Sequence, residues 1–308
     1  MLSKRALADI ALVFCSLIWG CTFLIVKNAL GDISVMAYIA VRFCISGSLM
    51  GIIFWRSLRE LKLPALWAGV QIGFFMLGGY VFQTTGLKFT TPSKAAFITG
   101  SSVVLVPLFL APFGQRRFKG WLWAGAIAAL AGLYFLTVPP EGLGELNKGD
   151  PIVFVCAILF AMHMIFLGRY AGSHPVGAIS FLQVATTGIL AAFLVPVFAI
   201  GGLERPHISW TTNLISALAI TSIGSTVIGF SLQTWAQKYT SASHTAILVS
   251  LEPVFAAITA WFVSHEHLGK RGFLGAALIL AGILLAELKG PSPGVPESPA
   301  PLVTSGSG

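Results

Sequence analysis

Runs of about 20 apolar residues, separated by short polar stretches, occupy most of the 308-residue chain. A helix of that length rises about 30 Å and crosses the hydrocarbon core of a bilayer. Ten such runs predict membrane-spanning helices over 7–29, 33–55, 65–86, 92–113, 120–138, 150–168, 175–200, 212–236, 241–263 and 271–288. The longest internal connection, "PPEGLGELNKGD", is polar, rich in turn formers and carries Glu141, Glu145 and Asp150. Beyond the last run, "GPSPGVPESPAPLVTSGSG" is a Pro/Ser/Gly tract predicted to be disordered. Lys4 and Arg5 precede the first run as in a signal peptide. That run passes the length of a signal core without a small-x-small cleavage motif, so it is predicted as an uncleaved span.

The pattern repeats. "GYVFQTTGLKFTTPSKAAFI" (79–98) and "GFSLQTWAQKYTSASHTAIL" (229–248) lie 150 positions apart and share Gly79/Gly229, Gln83/Gln233, Thr84/Thr234, Lys88/Lys238, Thr90/Thr240, Ser93/Ser243 and Ala96/Ala246. "AGAIAALAG" and "LGAALILAG" match at the same offset, whereas Cys15/Cys156, Gly47/Gly188 and Leu49/Leu190 match at 141. The nine-residue difference falls around "RPHISW", before the eighth span. Each copy therefore holds five helices, and an odd number inserts the second copy upside down. The expected fold is an all-α polytopic membrane protein of ten helices in two inverted repeats. The repeats cover 1–138 and 150–288, with a central polar loop at 139–149 and a disordered tail at 289–308. Inverted repeats are a recurring plan of secondary transporters.

Composition agrees: 56% of residues are hydrophobic and 10% charged, against about 25% charged in soluble domains. The formal charge of +8 resides in short loops, where it sets topology; no nucleic-acid partner is expected. With the N-terminus inside, inner segments hold eleven Lys and Arg and outer ones seven, so both termini are expected in the cytoplasm. Cys15, Cys21, Cys44 and Cys156 lie in apolar runs with no metal-site spacing and are expected to pack as small residues.

"CSLIWGCTFLIVKNAL" (15–30), "QKYTSASHTAILVSLEPVFAAITAWFVSHEHLG" (237–269) and "GFLGAALILAGILL" (272–285) resemble the EamA-type members of the drug/metabolite transporter superfamily, in both halves. The resemblance implies a ten-helix carrier, commonly an exporter of amino acids or other small metabolites in a bacterial inner membrane. After span nine the family usually shows Gly-Glu, whereas Ser264-His265-Glu266-His267 stands here, so no role of a loop glutamate is carried over.

Ionisable residues inside spans are costly and mark functional candidates. Arg42 and Glu252 lie about mid-span in opposite halves. As structural groups they would pair with each other; as site groups Arg42 would bind a substrate carboxylate and Glu252 an amine or a coupling proton. Their repeat partners are Gln183 and Ser102, so the asymmetry supplies one charge of each sign. His163, opposite Thr22 in the repeat, is a second proton-coupling candidate. Trp19 and Tyr80 complete the expected substrate-binding set of Arg42, Glu252, Gln183, Ser102, Thr22, His163, Trp19 and Tyr80. Phe74, Phe75, Phe97, Phe230 and Trp235 are further aromatic candidates. The Gln83-Thr84 and Gln233-Thr234 pairs are expected to hold helix ends more than substrate. Thr-x-x-Ser offers N-capping oxygens to the entering helix, and Lys88 and Lys238 are expected to snorkel to the boundary.

The expected function is secondary transport of a small polar metabolite, such as an amino acid or organic acid, by alternating access. Its partners are the solute and the bilayer; a monomer is compatible, and the sequence fixes no oligomeric state. Export of hydrophobic cationic drugs, and an intramembrane enzyme or sensor, are the alternatives. No nucleophile-base set, metal motif or nucleotide loop is present, so no catalytic residue, metal or cofactor is expected.

Overall fold

The computed structural model describes residues 2–59, 61–90, 92–111, 120–144, 146–264 and 269–289. Arg116, Arg117, Lys119, Thr91, Glu145, the His265-Glu266-His267 segment and the tail from 290 onward lie outside the described residues. The helices are α1 (Lys4–Ala29), α2 (Val35–Ile53), α3 (Leu63–Leu87), α4 (Pro92–Gly100 and Ser102–Leu110), α5 (Gly120–Thr137), α6 (Gly149–Ala171), α7 (Val176–Ile200), α8 (Thr212–Ala236), α9 (Ala242–Val249 and Glu252–Ser264) and α10 (Lys270–Lys289). Among the described residues eight helical segments are long and apolar enough to cross a membrane. Lys94–Leu110 of α4 is a shorter apolar helix, and α10 runs 20 residues. The chain is thus an all-helical, multi-pass membrane protein.

Packing follows the repeat. α2 lies on α7 and α5 on α10, so each of these helices meets its own counterpart. α3 packs on α6 and α7 as α8 packs on α1 and α2, and α4 packs on α6 as α9 packs on α1. Exchanging the two halves converts each contact into another. The α5–α10 crossing depends on four glycines that are repeat partners, Gly125 with Gly275 and Gly132 with Gly282. A Cβ on Gly132 would stand 2.6 Å from the Gly275 carbonyl oxygen, and one on Gly125 2.7 Å from that of Gly282. Only hydrogen fits there, as small residues do generally where membrane helices approach closely.

Two spans expected to be continuous are broken in register. α4 breaks at Ser101 and α9 at Ser250–Leu251, positions that correspond at the offset of 150. In α9, Pro253 has no N–H and its ring opposes the carbonyl of Val249, which ends the first half. The serine hydroxyls satisfy local carbonyls: Ser101 Oγ donates to Ile98 O at 2.6 Å and Ser250 Oγ to Ile247 O at 2.5 Å. α8 is continuous but carries a π-helical segment, Thr221–Ile228.

The extra length of the second half, in the α7–α8 connection, closes over the first half. Ile33 and Ile208 form an isolated antiparallel bridge, and Thr211 Oγ1 donates to Asp32 Oδ2 at 2.6 Å. Glu204 caps α2: its Oε1 accepts from Val35 N and its Oε2 from Met36 N, both at 2.9 Å. Ser34, at the N-cap position of this helix, makes no side-chain capping bond. Lys88, expected to snorkel to the boundary, bonds Glu204 Oε1 at 2.7 Å. Burial alone raises the Glu204 pKa, but the Lys88 hydrogen bond and the N–H groups of Met36 and Val35 outweigh it and hold the carboxyl below its ordinary value.

Candidate functional site

A cavity of about 690 Å³ lies at the centre of the bundle, lined from both halves. Its wall runs from Trp19 to Lys27 along α1 and reaches Leu87 on α3 and Thr137 on α5. Those positions lie toward the C-terminal ends of α1, α3 and α5, so the cavity extends to the face opposite the N-terminus. At the N-terminal face α1 and α9 are tied together: His244 Nε2 lies 3.1 Å from Asp9 Oδ1, and Ser16 Oγ donates to Leu248 O at 3.2 Å. The repeat-related tie stands at the other face, where Lys94 Nζ on α4 lies 2.7 Å from Asp150 Oδ2 on α6. Lys94 corresponds to His244 and Asp150 to Asp9 at the offsets of 150 and 141.

Four aromatic rings form one side of the cavity. Trp19 packs on Phe230 with centroids 5.4 Å apart, and Phe160 on Tyr80 at the same distance. Trp19 corresponds to Phe160 and Tyr80 to Phe230, and the two pairs meet through Tyr80 and Phe230 at 6.3 Å. The repeated Gly79 and Gly229 make the room. A Cβ at Gly79 would sit 2.5 Å from the Phe160 ring, and one at Gly229 2.8 Å from the Trp19 indole nitrogen.

The polar groups are placed otherwise. Arg42 is 3% exposed, and its Nε donates to Thr226 Oγ1 at 2.9 Å. Thr226 lies in the π-helical segment, where its hydroxyl donates to the Thr221 carbonyl five residues back at 3.0 Å. It therefore accepts from Arg42. Such segments recur at functional sites because the extra residue per turn re-aims side chains. Tyr80 flanks the guanidinium with its ring centroid 4.9 Å away and accepts from Nη2 at 3.4 Å. No carboxylate among the described residues forms an ion pair with Arg42.

Glu252 lines the same cavity as the first residue after the break in α9. There the free N–H groups and the dipole of the second half favour an anion. Glu252 has no hydrogen bond or ion pair among the described residues. The mutual pairing of Arg42 and Glu252 that a structural role would require is absent there. Ser102 takes the corresponding place on α4 and also lines the cavity, as do Thr22, Trp19, Tyr80 and His163. Thr22 Oγ1 lies 2.9 Å from Ser225 Oγ.

Gln183 is the exception. It is fully buried and stands behind His163, with Oε1 2.9 Å from His163 Nε2 and Nε2 2.9 Å from Thr234 Oγ1. Its alignment with Arg42 suggested a wall position, but the side chain turns the other way.

Sequence reasoning also passed over residues that line the cavity. Gln83, Thr84 and Gln233, expected chiefly to hold helix ends, are on the wall. So is Phe160, which the offset from Trp19 could have revealed. Phe74 and Phe75 belong instead to a shallow depression near Phe166, and Phe97 packs on Tyr134 and Trp235 on Tyr239.

Known proteins resemble this chain in sequence and in fold. The sequence profile described as the EamA-like transporter family matches residues 6–138 and again 147–288. A protein from Archaeoglobus fulgidus named as an uncharacterized transporter is 34% identical over 286 residues, covering 93% of this chain and 87% of its own. The threonine/homoserine exporter RhtA of Escherichia coli K12 is 26% identical over 236 residues, covering 76% of this chain and 74% of its own. One solved crystal structure superposes with a TM-score of 0.77 at 22% identity, over 92% of this chain and 98% of that one.

Proposed function

The chain belongs to the EamA-like transporter family, and from that premise we propose that it carries zwitterionic amino acids through the central cavity by alternating access. The observation that supports this most is the pair of opposite charges lining one cavity, Arg42 and Glu252, which are not spent on each other. A guanidinium matches a carboxylate bidentately, and a carboxylate matches an ammonium. Arg42 has only neutral hydrogen-bond partners and the half-buried Glu252 has none among the described residues, and a bound amino acid would supply an opposite charge to both at once. The aromatic rings supply apolar surface for the rest of the solute. The relative RhtA is named as an exporter of threonine and homoserine, which agrees in chemical class. Arg42 on the wall counts against hydrophobic cations as cargo.

In this reading the halves 1–138 and 150–288 rock against each other in the bacterial inner membrane, both termini in the cytoplasm. The excess of basic residues in the segments on the N-terminal side supports that orientation. The cavity then faces outward, and export ends in the conformation described here. Glu252 and His163 are the cavity groups available for coupling to protons.

Counterflow in proteoliposomes preloaded with pooled amino acids and organic acids tests the reading. The wild type should exchange carboxylate-bearing solutes, and Arg42→Gln and Glu252→Gln should each lose that exchange while still folding. A wild type that moves nothing in the pool, or an Arg42→Gln protein that exchanges normally, contradicts it.

A further inference from the structure

We infer that Gln183 is a positioning residue which holds the His163 imidazole in the Nε2–H tautomer, so that its bare Nδ1 serves the cavity as a hydrogen-bond acceptor for a hydroxyl or ammonium of the solute. The chain of contacts fixes the direction of every hydrogen bond. Thr234 Oγ1 lies 2.7 Å from the Phe230 carbonyl, which can only accept, so the one hydroxyl proton of Thr234 goes there. Toward Gln183 the hydroxyl must then accept, at 2.9 Å, and the facing amide atom is the NH2 group. The other end of that amide, the carbonyl Oε1, is left against His163 Nε2 at 2.9 Å and requires an N–H there. A neutral imidazole carries one proton, so Nδ1 holds a lone pair.

Nδ1 has no hydrogen-bond partner among the described residues, while His163 lines the cavity and Gln183 and Thr234 do not exchange contacts with solvent, being fully buried. Phe230 packs edge-on to the imidazole at 5.8 Å and limits its rotation. Gln183 thus acts on the solute through His163, which explains why the repeat partner of Arg42 is conspicuously uncharged and turned away from the wall.

This inference rests on the amino-acid reading for the nature of the solute, though not for the tautomer. With Arg42 and Glu252 assigned to the carboxylate and ammonium, the acceptor at Nδ1 selects amino acids with a hydroxyl on the side chain. Threonine and valine have nearly the same shape and differ by that group. A site arranged to bond a hydroxyl leaves its own polar atom unpaired with the analogue that lacks it.

Two readouts test the inference on the full-length protein in lipid nanodiscs or proteoliposomes. The first is 15N NMR of histidine-labelled protein, with the His163 signals assigned by their loss in His163→Gln. A bare Nδ1 and protonated Nε2 are expected in the wild type, and a mixture of tautomers in Gln183→Leu and in the near-isosteric Thr234→Val, which frees the amide to reverse. A protonated Nδ1 in the wild type, or no change in either variant, overturns the positioning role. The second is counterflow of threonine against valine. The wild type should prefer threonine by about 10-fold or more, and Thr234→Val and Gln183→Leu should lose most of that preference while still carrying valine. An unchanged preference in both variants overturns the selectivity. If neither amino acid is carried, the amino-acid reading fails and the selectivity with it, whereas the tautomer result stands on its own.

Discussion

Trp19 on Phe230 and Phe160 on Tyr80 are the same contact made twice, and exchanging the halves of the chain exchanges the two pairs. The polar positions follow no such rule. Arg42 stands where the other half has Gln183, Glu252 where it has Ser102, and His163 where it has Thr22. The aromatic side needs only surface and shape, which two inverted copies supply equally to either opening. A solute with a positive and a negative end has no two-fold symmetry, and a wall that grips both ends must break the symmetry of the frame.

The two inter-half ties mark the same boundary within the frame. Lys94–Asp150 is buried at both partners, whereas Asp9 is 17% exposed and faces a histidine that is charged only when protonated. Breaking an ion pair costs more where both groups are buried than where one is partly exposed. Asp150→Ala is therefore expected to cost about 3–5 kcal/mol of stability, and Asp9→Ala about 1 kcal/mol. Thermal unfolding in detergent reads the difference; equal losses would mean that the two ties are equivalent despite their chemistry.

The symmetric crossing of α5 and α10 should respond alike from either side. Gly132→Val and its repeat partner Gly282→Val each place a branched side chain against backbone, with about 1–3 kcal/mol of loss expected for overpacking. A Cβ there would stand 2.6 Å from a carbonyl in the first case and 2.5 Å in the second. Unfolding temperatures that fall together sharpen the comparison, and a large fall in one alone breaks it.

The smallest effect belongs to the asymmetric clamp. Glu204→Gln weakens the cap on α2 and the contact with Lys88, at about 1 kcal/mol. The folded-state pKa of Glu204 lies below its unfolded value, so the clamp stabilises above the ordinary glutamate range and is lost as pH falls through and below that range. The wild type should lose stability there more steeply than Glu204→Gln, as measured by unfolding at stepped pH; parallel curves would remove Glu204 from the account.

The frame was legible in the sequence because apolar length and internal repetition are local signals. Span ends came within a few residues, and the offsets of 150 and 141 gave the helix partners. The break in α4 was not legible, since Gly100-Ser101 sits in an apolar run that reads as continuous and carries no proline at the break; in α9 Pro253 was a signal, which the apolar length of the span masked. The π-helical segment of α8 is equally silent, being fixed by ties to α1 and α2 such as Trp19 Nε1 to Ser225 O at 3.0 Å. Glu204 was overlooked because its cap joins residues 169 positions apart. Charge inside a span singled out Arg42 and Glu252, both of which line the cavity. The direction of Gln183 was decided by Thr234, which no pattern along the chain connects to it.

The most direct test of the central claim compares three solutes: threonine, the amino alcohol in which CH2OH replaces its carboxylate, and the hydroxy acid in which hydrogen replaces its ammonium. Counterflow of each is measured for wild type, Arg42→Gln and Glu252→Gln. The wild type should carry threonine far better than either analogue. Arg42→Gln should bring threonine down to the level of the amino alcohol, by about 100-fold, and Glu252→Gln down to that of the hydroxy acid. If either variant ranks the three solutes as the wild type does, or lowers all of them equally, the asymmetric wall does not read the two ends of a zwitterion.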